Sequence, residues 1–237
     1  MHRFRPLVGD NYQYILAVGG DAMVVDPFDE TRCFAELDRL NLKPIGILIT
    51  HTHWDHINGV QGFVQKADVP VYVHSLGVAD LPYARTVVLS DGDNIDFAGS
   101  QIGVRHLPGH HPAHVLYQWQ GYAVVGDLLF LAGCGNPNFG GDVIQLFESI
   151  RKGFQSMNPE TRLAWGHDYA DKNLAFAVDV DPENEATPVL IEEIARLRAS
   201  DQELPWRTLA EEMAINPFLR ASQRDDFVKL RGQRDHF

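Results

Sequence analysis

Three imidazoles and one carboxylate fall within six residues of the stretch Thr50-His51-Thr52-His53-Trp54-Asp55-His56. It directly follows the apolar run Ile45-Gly46-Ile47-Leu48-Ile49, whose composition predicts a buried strand. In an extended chain residues two apart point the same way, so His51 and His53 can hold one cation. The last two residues of the stretch point apart once the chain turns, so they can hold a second cation. Structural zinc sites prefer cysteines, which this stretch lacks. It therefore predicts a two-metal hydrolase centre, the alternative being a chance cluster of loop histidines.

The composition is that of a globular chain of 237 residues, of which 45% are hydrophobic and 22% charged. This length fits one large or two small domains. The net charge of -12 argues against a nucleic-acid partner, because phosphate binding requires clustered Lys and Arg. An anionic substrate would therefore need a local group of basic residues.

The cellular location is predicted from three features. No apolar run reaches the roughly 18 residues that a membrane span requires, and residues 1–6 lack the apolar core of a secretion signal. Cys33 and Cys134 are the only cysteines, and two distant cysteines make a poor disulfide framework. We therefore expect a cytoplasmic protein with no membrane partner.

The apolar pattern predicts an α/β part up to about residue 170. Strands are expected at residues 12–18, 22–25, 45–49, 70–74, 86–89, 94–97, 101–106, 115–119, 122–125 and 163–165. Helices are expected at residues 29–40, 57–67 and 141–157, where apolar side chains recur at helical spacing. After residue 171 only helical patterns follow, at residues 174–178, 187–199 and 208–215. The sequence thus predicts an all-helical tail that contains no strand.

Four residues cannot close two metal sites, so further ligands must come from later in the chain. Three later segments place a ligand type directly after an apolar, strand-like run. They are residues 107–114 with His110, His111 and His114, the pair Gly126-Asp127, and the pair Gly166-His167. Each alone is more often a turn or an ordinary core or surface residue. Because strand ends of packed sheets converge on one edge, the segments together predict one site.

Taken in this order along the chain, these segments resemble the ligand pattern of the metallo-β-lactamase superfamily, whose His-x-His-x-Asp-His loop matches residues 51–56. Within that superfamily the chain is similar to glyoxalase II, the hydroxyacylglutathione hydrolases, over essentially its whole length. The segments that carry this second resemblance are Asp10-Asn11-Tyr12, residues 126–130 and 132–135, Gly166-His167-Asp168-Tyr169, and Asn216-Pro217-Phe218-Leu219-Arg220. The last segment lies in the helical tail, which the lactamases lack.

The resemblance implies a complete ligand set for two divalent metal ions. His51, His53 and His110 would hold the first metal, Asp55, His56 and His167 the second, and Asp127 would bridge both. It also implies a four-layer αββα sandwich in residues 1–170, followed by a helical substrate-binding domain in residues 171–237. We expect His114 to pack behind the ligands, His111 to have no special role, and Cys134 to fill space in its loop.

Thioester hydrolysis, the reaction of this family, suits such a site. Two cations about 3.5–4 Å apart can convert a shared water to hydroxide by lowering its pKa from about 15.7 to about 7, and one of them can polarise the acyl carbonyl. Asp55 and Asp127 are the expected catalytic carboxylates, which fix the spacing and offset part of the cationic charge. A thiolate leaves without a dedicated general acid, because thiols have a pKa of about 8.5. Zinc suits the histidine-rich set, and iron or manganese would also be accepted.

Basic residues near the C-terminus are the candidate substrate site. Residues 216–237 contain five basic and three acidic side chains, and composition alone favours a solvated helix face. The resemblance implies instead that Arg231 and Arg234 bind the glutathione carboxylate, for which the paired hydrogen bonds of guanidinium are suited. It also implies that Tyr169 contacts the glutathione backbone.

One loop departs from the family pattern. Family members usually carry Lys or Arg directly after Gly-Cys-Gly, where this chain has Asn136 and one inserted residue. Phe139 is expected to take the place of an aromatic residue that often follows. Losing a charged hydrogen bond here would cost about 1.5–3 kcal/mol of binding. We therefore expect weaker binding of the usual thioester, or a different thioester.

The leading hypothesis is hydrolysis of S-(2-hydroxyacyl)glutathione, such as S-D-lactoylglutathione, to glutathione and a 2-hydroxy acid, by a monomer or weak homodimer. The helical tail disfavours a superfamily hydrolase that acts on a lactone, β-lactam or phosphodiester. The full second ligand set disfavours a mononuclear iron persulfide dioxygenase. A non-enzymatic binding module would be expected to lack ligands, and none is missing.

Overall fold

The computed structural model describes residues 1–237 and contains two six-stranded sheets. The first sheet consists, in spatial order, of β1 (His2–Phe4), β2 (Gln13–Val18), β3 (Asp21–Val25), β4 (Lys43–Leu48), β5 (Val71–His74) and β6 (Thr86–Leu89). The strands from β1 to β3 pair antiparallel, and those from β3 to β6 pair parallel. The parallel strands therefore end at the same edge of the sheet.

The second sheet is built from later strands. In chain order these are β7 (Asn94–Phe97), β8 (Ser100–His106), β9 (Val115–Trp119), β10 (Tyr122–Gly126), then a two-stranded ribbon of β11 (Leu129–Phe130) and β12 (Gly133–Cys134), and finally β13 (Arg162–Trp165) and β14 (Arg207–Thr208). Their spatial order is β14-β13-β10-β9-β8-β7, in which only β10 and β13 are parallel. These two strands therefore also end at one edge.

Nine α-helices cover the sheets. They are α1 (Glu30–Arg39), α2 (Trp54–Ile57), α3 (Val60–Lys66), α4 (Val143–Phe154), α5 (Ala170–Val180), α6 (Ala186–Ala199), α7 (Leu209–Ile215), α8 (Pro217–Arg220) and α9 (Arg224–His236), together with a 3₁₀ helix at Ser75–Asp80. In α1 the Asp29 carboxylate caps the first turn by accepting from the Arg32 amide, and Arg39 lies in the last turn, where a cation suits the helix dipole. No helix is long and apolar enough to cross a membrane.

Alternation along the strands produces two hydrophobic cores. On β2, Ile15 belongs to a core of 14 buried residues shared with α1 and α3. Its neighbours Tyr14 and Leu16 belong to a core of 44 buried residues that fills the space between the sheets and continues to α4 and the tail helices. This confirms the predicted αββα sandwich with a helical tail.

Two predicted elements differ from the structure. The helix predicted at residues 57–67 begins earlier, at Trp54, and is interrupted at Asn58 and Gly59. The Gly59 amide donates to the Pro27 carbonyl at 2.9 Å, and a Cβ at Gly59 would lie 2.4 Å from that oxygen. The segment before α1 therefore passes too close for any other residue, and the chain breaks into two short helices.

The prediction of a strand-free tail is wrong, because β14 pairs antiparallel with β13. Two residues are too few to leave an alternating pattern in the sequence. Buried Glu212 links the same region to the ribbon: its carboxylate accepts from the Ala132 amide at 2.8 Å and from Arg207 Nε at 3.1 Å. The tail thus shares the large core and hydrogen bonds of the second sheet, and the division at residue 170 stays a prediction.

Candidate metal centre

The seven predicted ligands meet where β4, β10 and β13 end. His51 lies three residues beyond β4, Asp127 directly beyond β10 and His167 two residues beyond β13, while His110 comes from the β8–β9 loop. The ligand atoms form three trios, each within 4.8 Å: His51, His53 and His110; His51, His56 and Asp127; and Asp55, His56 and His167. The structure therefore brings together all seven residues that the sequence predicted as ligands.

The first group has three imidazole nitrogens at its centre. His53 Nδ1 lies 3.1 Å from His51 Nε2 and 3.0 Å from His110 Nε2. Asp127 Oδ2 is 3.6 Å from His110 Nε2, so the carboxylate borders this group. Three imidazole nitrogens and one carboxylate oxygen form a donor set that divalent transition metals accept.

The second group surrounds the other side of Asp127. His167 Nε2 lies 3.2 Å from Asp55 Oδ2 and 3.4 Å from Asp127 Oδ2. His56 Nε2 lies 3.3 Å from Asp127 Oδ1. Asp127 therefore stands between the two groups, where one carboxylate can contact two cations.

Buried atoms without hydrogen-bond partners test whether the site fits metal ions. His56 Nε2, His167 Nε2 and Asp127 Oδ1 are buried and make no well-aligned hydrogen bond, only the ion-pair contacts given above. Buried polar atoms almost always have one, and the three atoms point to the same centre. Divalent cations would satisfy them, so the residues present fit a metal site.

The five imidazoles are each held by the nitrogen that faces away from the centre. The contacts are His51 Nδ1 to Thr50 Oγ1 (3.1 Å), His53 Nε2 to the Phe139 carbonyl (3.0 Å), His56 Nδ1 to Asp26 Oδ2 (3.0 Å), His110 Nδ1 to the Asn136 carbonyl (2.9 Å) and His167 Nδ1 to Asp10 Oδ1 (2.9 Å). When the outer nitrogen carries the proton of a neutral ring, the inner nitrogen keeps a lone pair that a metal can accept.

Asp26 is a supporting residue that sequence reasoning missed. Its carboxylate accepts from the Thr50 amide at 2.8 Å, the Thr50 hydroxyl at 2.7 Å and His56 Nδ1 at 3.0 Å. Asp26 directly follows β3, as Asp127 directly follows β10, so the same signal marks both. Asp10 appeared only within a family segment, and its sequence position carries no sign of its contact with His167.

The electrostatics of the two groups differ. Burial lowers the pKa of His51 far below its ordinary value and that of His110 to about 4, so both are neutral. Burial opposes protonation of His56 as well, but Asp127 and Asp26 raise its pKa to about 10. Asp127 and Asp10 likewise raise the pKa of His167 against burial. A cation entering the second group therefore displaces protons.

The three left-over residues surround the centre. His114 is fully buried behind His51, with the two ring centroids 5.2 Å apart and nearly parallel, and neither of its nitrogens has a partner. His111 accepts from the Ala113 amide at 3.1 Å. Cys134 is buried with its sulfur 3.8 Å from Arg231 Nη1, and burial raises the pKa of its thiol to about 11. None of the three belongs to a trio of ligand atoms.

A cavity of about 440 Å³ opens in front of the metal centre. Its walls include His53, Asp55, His110 and Asp127 together with all five predicted substrate residues, Asn136, Phe139, Tyr169, Arg231 and Arg234. They also include Trp54, Phe130, Lys172 and Asn173, which the sequence did not single out. The volume is in the range of small-molecule sites.

The two arginines occupy different settings in the cavity wall. Arg231 is only 6% exposed, and its guanidinium donates to the Cys134 and Gly135 carbonyls at 3.0 and 3.4 Å and to Asp235 at 2.8 Å. Arg234 is half-buried and donates through Nε and Nη2 to Asn173 Oδ1. Arg231 therefore holds the loop at Cys134 and Gly135, while Arg234 keeps one terminal nitrogen free.

The remaining substrate candidates lie at the mouth. The Tyr169 ring stacks on His167, with centroids 4.8 Å apart and planes 3° apart. The Phe139 side chain is 69% exposed, while its carbonyl orients His53. The Asn136 carbonyl orients His110, and its side chain accepts from the Asn138 amide. The metal-side contacts of this loop come from backbone carbonyls, so they do not depend on the side chains at these positions.

Comparison with known proteins assigns the family. Residues 7–167 match the metallo-beta-lactamase superfamily, and residues 168–237 match the hydroxyacylglutathione hydrolase C-terminus. A hydroxyacylglutathione hydrolase of Anaeromyxobacter dehalogenans is 37% identical over 211 residues, covering 89% of this chain and 82% of that protein. The chain belongs to the hydroxyacylglutathione hydrolase family. Members of this family are enzymes, and membership of the superfamily implies that the protein binds divalent metal ions, for which the His and Asp clusters are candidate ligands.

Solved structures place this chain among metallo-β-lactamase folds. ETHE1 from Myxococcus xanthus superimposes with a TM-score of 0.74 at 20% identity, covering 98% of this chain and 89% of that chain. At this identity the similarity shows the fold alone. TTHA1623, solved in a di-iron-bound form, superimposes with a TM-score of 0.65 at 27% identity, covering 92% and 98% of the two chains.

The close approach of Gly166 to the candidate ligands Asp127 and His56 allows a prediction. A Cβ at Gly166 would lie 2.0 Å from Asp127 Oδ1 and 2.9 Å from His56 Cε1. Gly166→Ala is therefore expected to displace the bridging carboxylate, to lower metal content, and to destabilise the fold by about 1–3 kcal/mol, the usual range for overpacking. Metal analysis and denaturant unfolding measure the two effects.

The matched control for this prediction is Gly232→Ala on α9. Nothing lies within 4 Å of the added Cβ, and alanine in a helix is more stable than glycine by about 0.5–1 kcal/mol. The control should bind metal normally and unfold at slightly higher denaturant. A Gly166→Ala protein with full metal content would contradict the packing described here.

Proposed function

We propose that this enzyme hydrolyses S-(2-hydroxyacyl)glutathione, such as S-D-lactoylglutathione, to glutathione and a 2-hydroxy acid. The observation that carries the proposal is one cavity lined both by metal-ligand candidates and by basic and aromatic side chains of the tail segment. The name of the Anaeromyxobacter relative supports the same reaction. A glutathione thioester offers the reactive acyl group to one end of such a cavity and carboxylates to the other.

The proposed metal ligands are His51, His53 and His110 for the first ion and Asp55, His56 and His167 for the second, with Asp127 shared. When bound, two such ions supply a water of lowered pKa and polarise the acyl carbonyl. Zinc is the proposed metal because the donors are mostly imidazoles, and iron or manganese would also suit the mixed set. The di-iron form of TTHA1623 supports iron as the second choice.

The protein's own residues orient and hold the reacting groups. Asp127 lies between the two ligand groups and would offset part of the charge of both cations. Asp55 would offset part of the charge of the second cation. We propose that Tyr169 packs against the glutathione backbone, with its ring fixed by stacking on His167. Phe139 and Asn136 would border the bound thioester, with Asn136 lacking the charge that Lys or Arg would supply at its position.

The carboxylate end is assigned to the two arginines. We propose that Arg234 binds a glutathione carboxylate, and that Arg231 lies behind it and adds its charge while it holds the loop. The helical tail in residues 171–237 would thus be the substrate-binding part. The cytoplasmic location and the monomeric or weakly dimeric state stay predictions from the sequence.

The test is hydrolysis of S-D-lactoylglutathione by purified, metal-loaded protein. We expect kcat/KM in the ordinary enzyme range of about 10⁴–10⁸ M⁻¹s⁻¹. Protein stripped with a chelator should be inactive and should recover when zinc is added. No turnover with two metals bound would disprove this substrate while leaving the metal centre intact. Oxygen uptake with glutathione persulfide would instead favour the mononuclear iron alternative.

A further inference from the structure

The basic side chains in the cavity wall have unequal freedom to bind a ligand. Three of them, Lys172, Arg231 and Arg234, line the cavity. Arg231 is buried and already donates to two carbonyls and to Asp235. Arg234 donates two of its nitrogens to Asn173. The arginines therefore meet a ligand with part of their hydrogen-bonding capacity already used.

Lys172 is the exception, because it is exposed and has neither an ion pair nor a side-chain hydrogen bond. The neighbouring carboxylates are engaged elsewhere. Asp171 pairs with Arg198, and Asp235 accepts from Arg231 at 2.8 Å and from Asn138 at 3.1 Å. Nothing in the protein therefore neutralises the Lys172 ammonium where it borders the cavity.

The position of Lys172 on its helix is unfavourable for a purely structural residue. It lies in the first turn of α5, the positive end of the helix dipole, where cations are disfavoured. It is also three residues beyond Tyr169 and directly before Asn173, two other residues of the cavity wall. The ammonium and the positive end of the helix together favour an anion at this side of the cavity.

We propose that Lys172 binds a carboxylate of the glutathione moiety and so helps to determine specificity for the thiol part of the substrate. This inference rests on the proposed function. Glutathione carries two carboxylates, one on its glycine and one on its γ-glutamyl residue, so one cationic group cannot serve both. Arg234, which donates to Asn173, binds one of them, and Lys172, the residue directly before Asn173, binds the other.

The deciding experiment compares Lys172→Gln with the wild type on S-D-lactoylglutathione. Loss of a charge-assisted hydrogen bond should raise KM about tenfold while leaving kcat and metal content unchanged. Lys172→Arg should stay within about twofold of the wild type, because the charge is kept. Lys229→Gln removes the same charge from an exposed position on α9 outside the cavity and should change neither constant.

Glutathione binding, measured by calorimetry, gives a readout independent of turnover. Its Kd should rise about tenfold in Lys172→Gln, and the salt dependence of binding should become weaker, because one screened charge pair is lost. A thioester with an amidated glycine carboxylate identifies the partner: if Lys172 binds that group, the variant and the wild type will have equal KM for it.

The outcomes separate this inference from the proposed function. Wild-type protein that hydrolyses the thioester while Lys172→Gln has unchanged KM and Kd would overturn the role of Lys172 alone. A fall in kcat at constant KM would overturn it as well, since Lys172 would then act on the reaction rather than on binding. Wild-type protein that neither turns over the thioester nor binds glutathione would overturn both.

Discussion

Asp127→Ala should lose both metal ions together and lower kcat/KM by about 10³-fold or more. Asp127 borders both groups of ligands, with Oδ1 3.3 Å from His56 Nε2 and Oδ2 3.6 Å from His110 Nε2. Metal ions supply several kcal/mol of transition-state stabilisation, and each 1.36 kcal/mol corresponds to about a tenfold change in rate. Without the shared carboxylate, each group also loses the negative charge that offsets its cation.

Metal analysis after dialysis, followed by the thioester assay, measures this effect. Asp127→Asn is the matched control because it keeps the volume and one oxygen acceptor but removes the charge. It should fold like the wild type and retain at most one ion. Full metal occupancy in Asp127→Ala would show that Asp127 is not the shared ligand.

Asp26→Ala should lower the free energy of unfolding by about 3–5 kcal/mol, the range observed when one member of a buried charged pair is removed. Its carboxylate is the acceptor for the Thr50 amide, the Thr50 hydroxyl and His56 Nδ1, and all three groups are buried. The Asp26 backbone has a φ of 46°, a left-handed conformation that Asp and Asn adopt more readily than Ala. Affinity for the second metal should also fall by about 10–100-fold, as for other residues that orient ligands.

Denaturant unfolding in the presence of a chelator separates the stability effect from metal loss. Asp26→Asn provides the control, because it keeps the backbone conformation and one acceptor oxygen, so a smaller loss of stability is expected. If Asp26→Ala unfolded at the wild-type denaturant concentration, the carboxylate could not be supporting Thr50 and His56 as described.

The features that could be predicted from the sequence are local ones. Apolar residues alternate along β2 and other strands, and they recur at helical spacing in α1 and α4. Each pattern marks one buried face and can be recognised within a short stretch of sequence. The candidate ligands could be predicted because His51, Asp127 and His167 each follow closely on an apolar, strand-like run. Each of these three positions can be recognised from its neighbours in the sequence, without knowledge of how the rest of the chain folds.

The features that could not be predicted depend on distant contacts. The break between α2 and α3 arises because Pro27 passes close to Gly59, and β14 exists only because β13 offers a free edge. Asn136 is instructive in another way. In the sequence, its side chain stands out because the family usually has Lys or Arg at this position. In the structure, its contact with His110 is made by the backbone carbonyl, which every residue type possesses.

The metal centre is closed by residues from opposite ends of the chain, and this bears on when the protein can acquire its metals. His167 is held by Asp10, 157 residues earlier, and the Cys134–Gly135 loop beside the ligands is held by Arg231, nearly 100 residues later. During synthesis the second ligand group stays incomplete until residue 167 has left the ribosome, and the loop lacks its Arg231 contacts until α9 has emerged. A complete second ligand group with a supported loop therefore requires contacts that reach from Asp10 to Arg231.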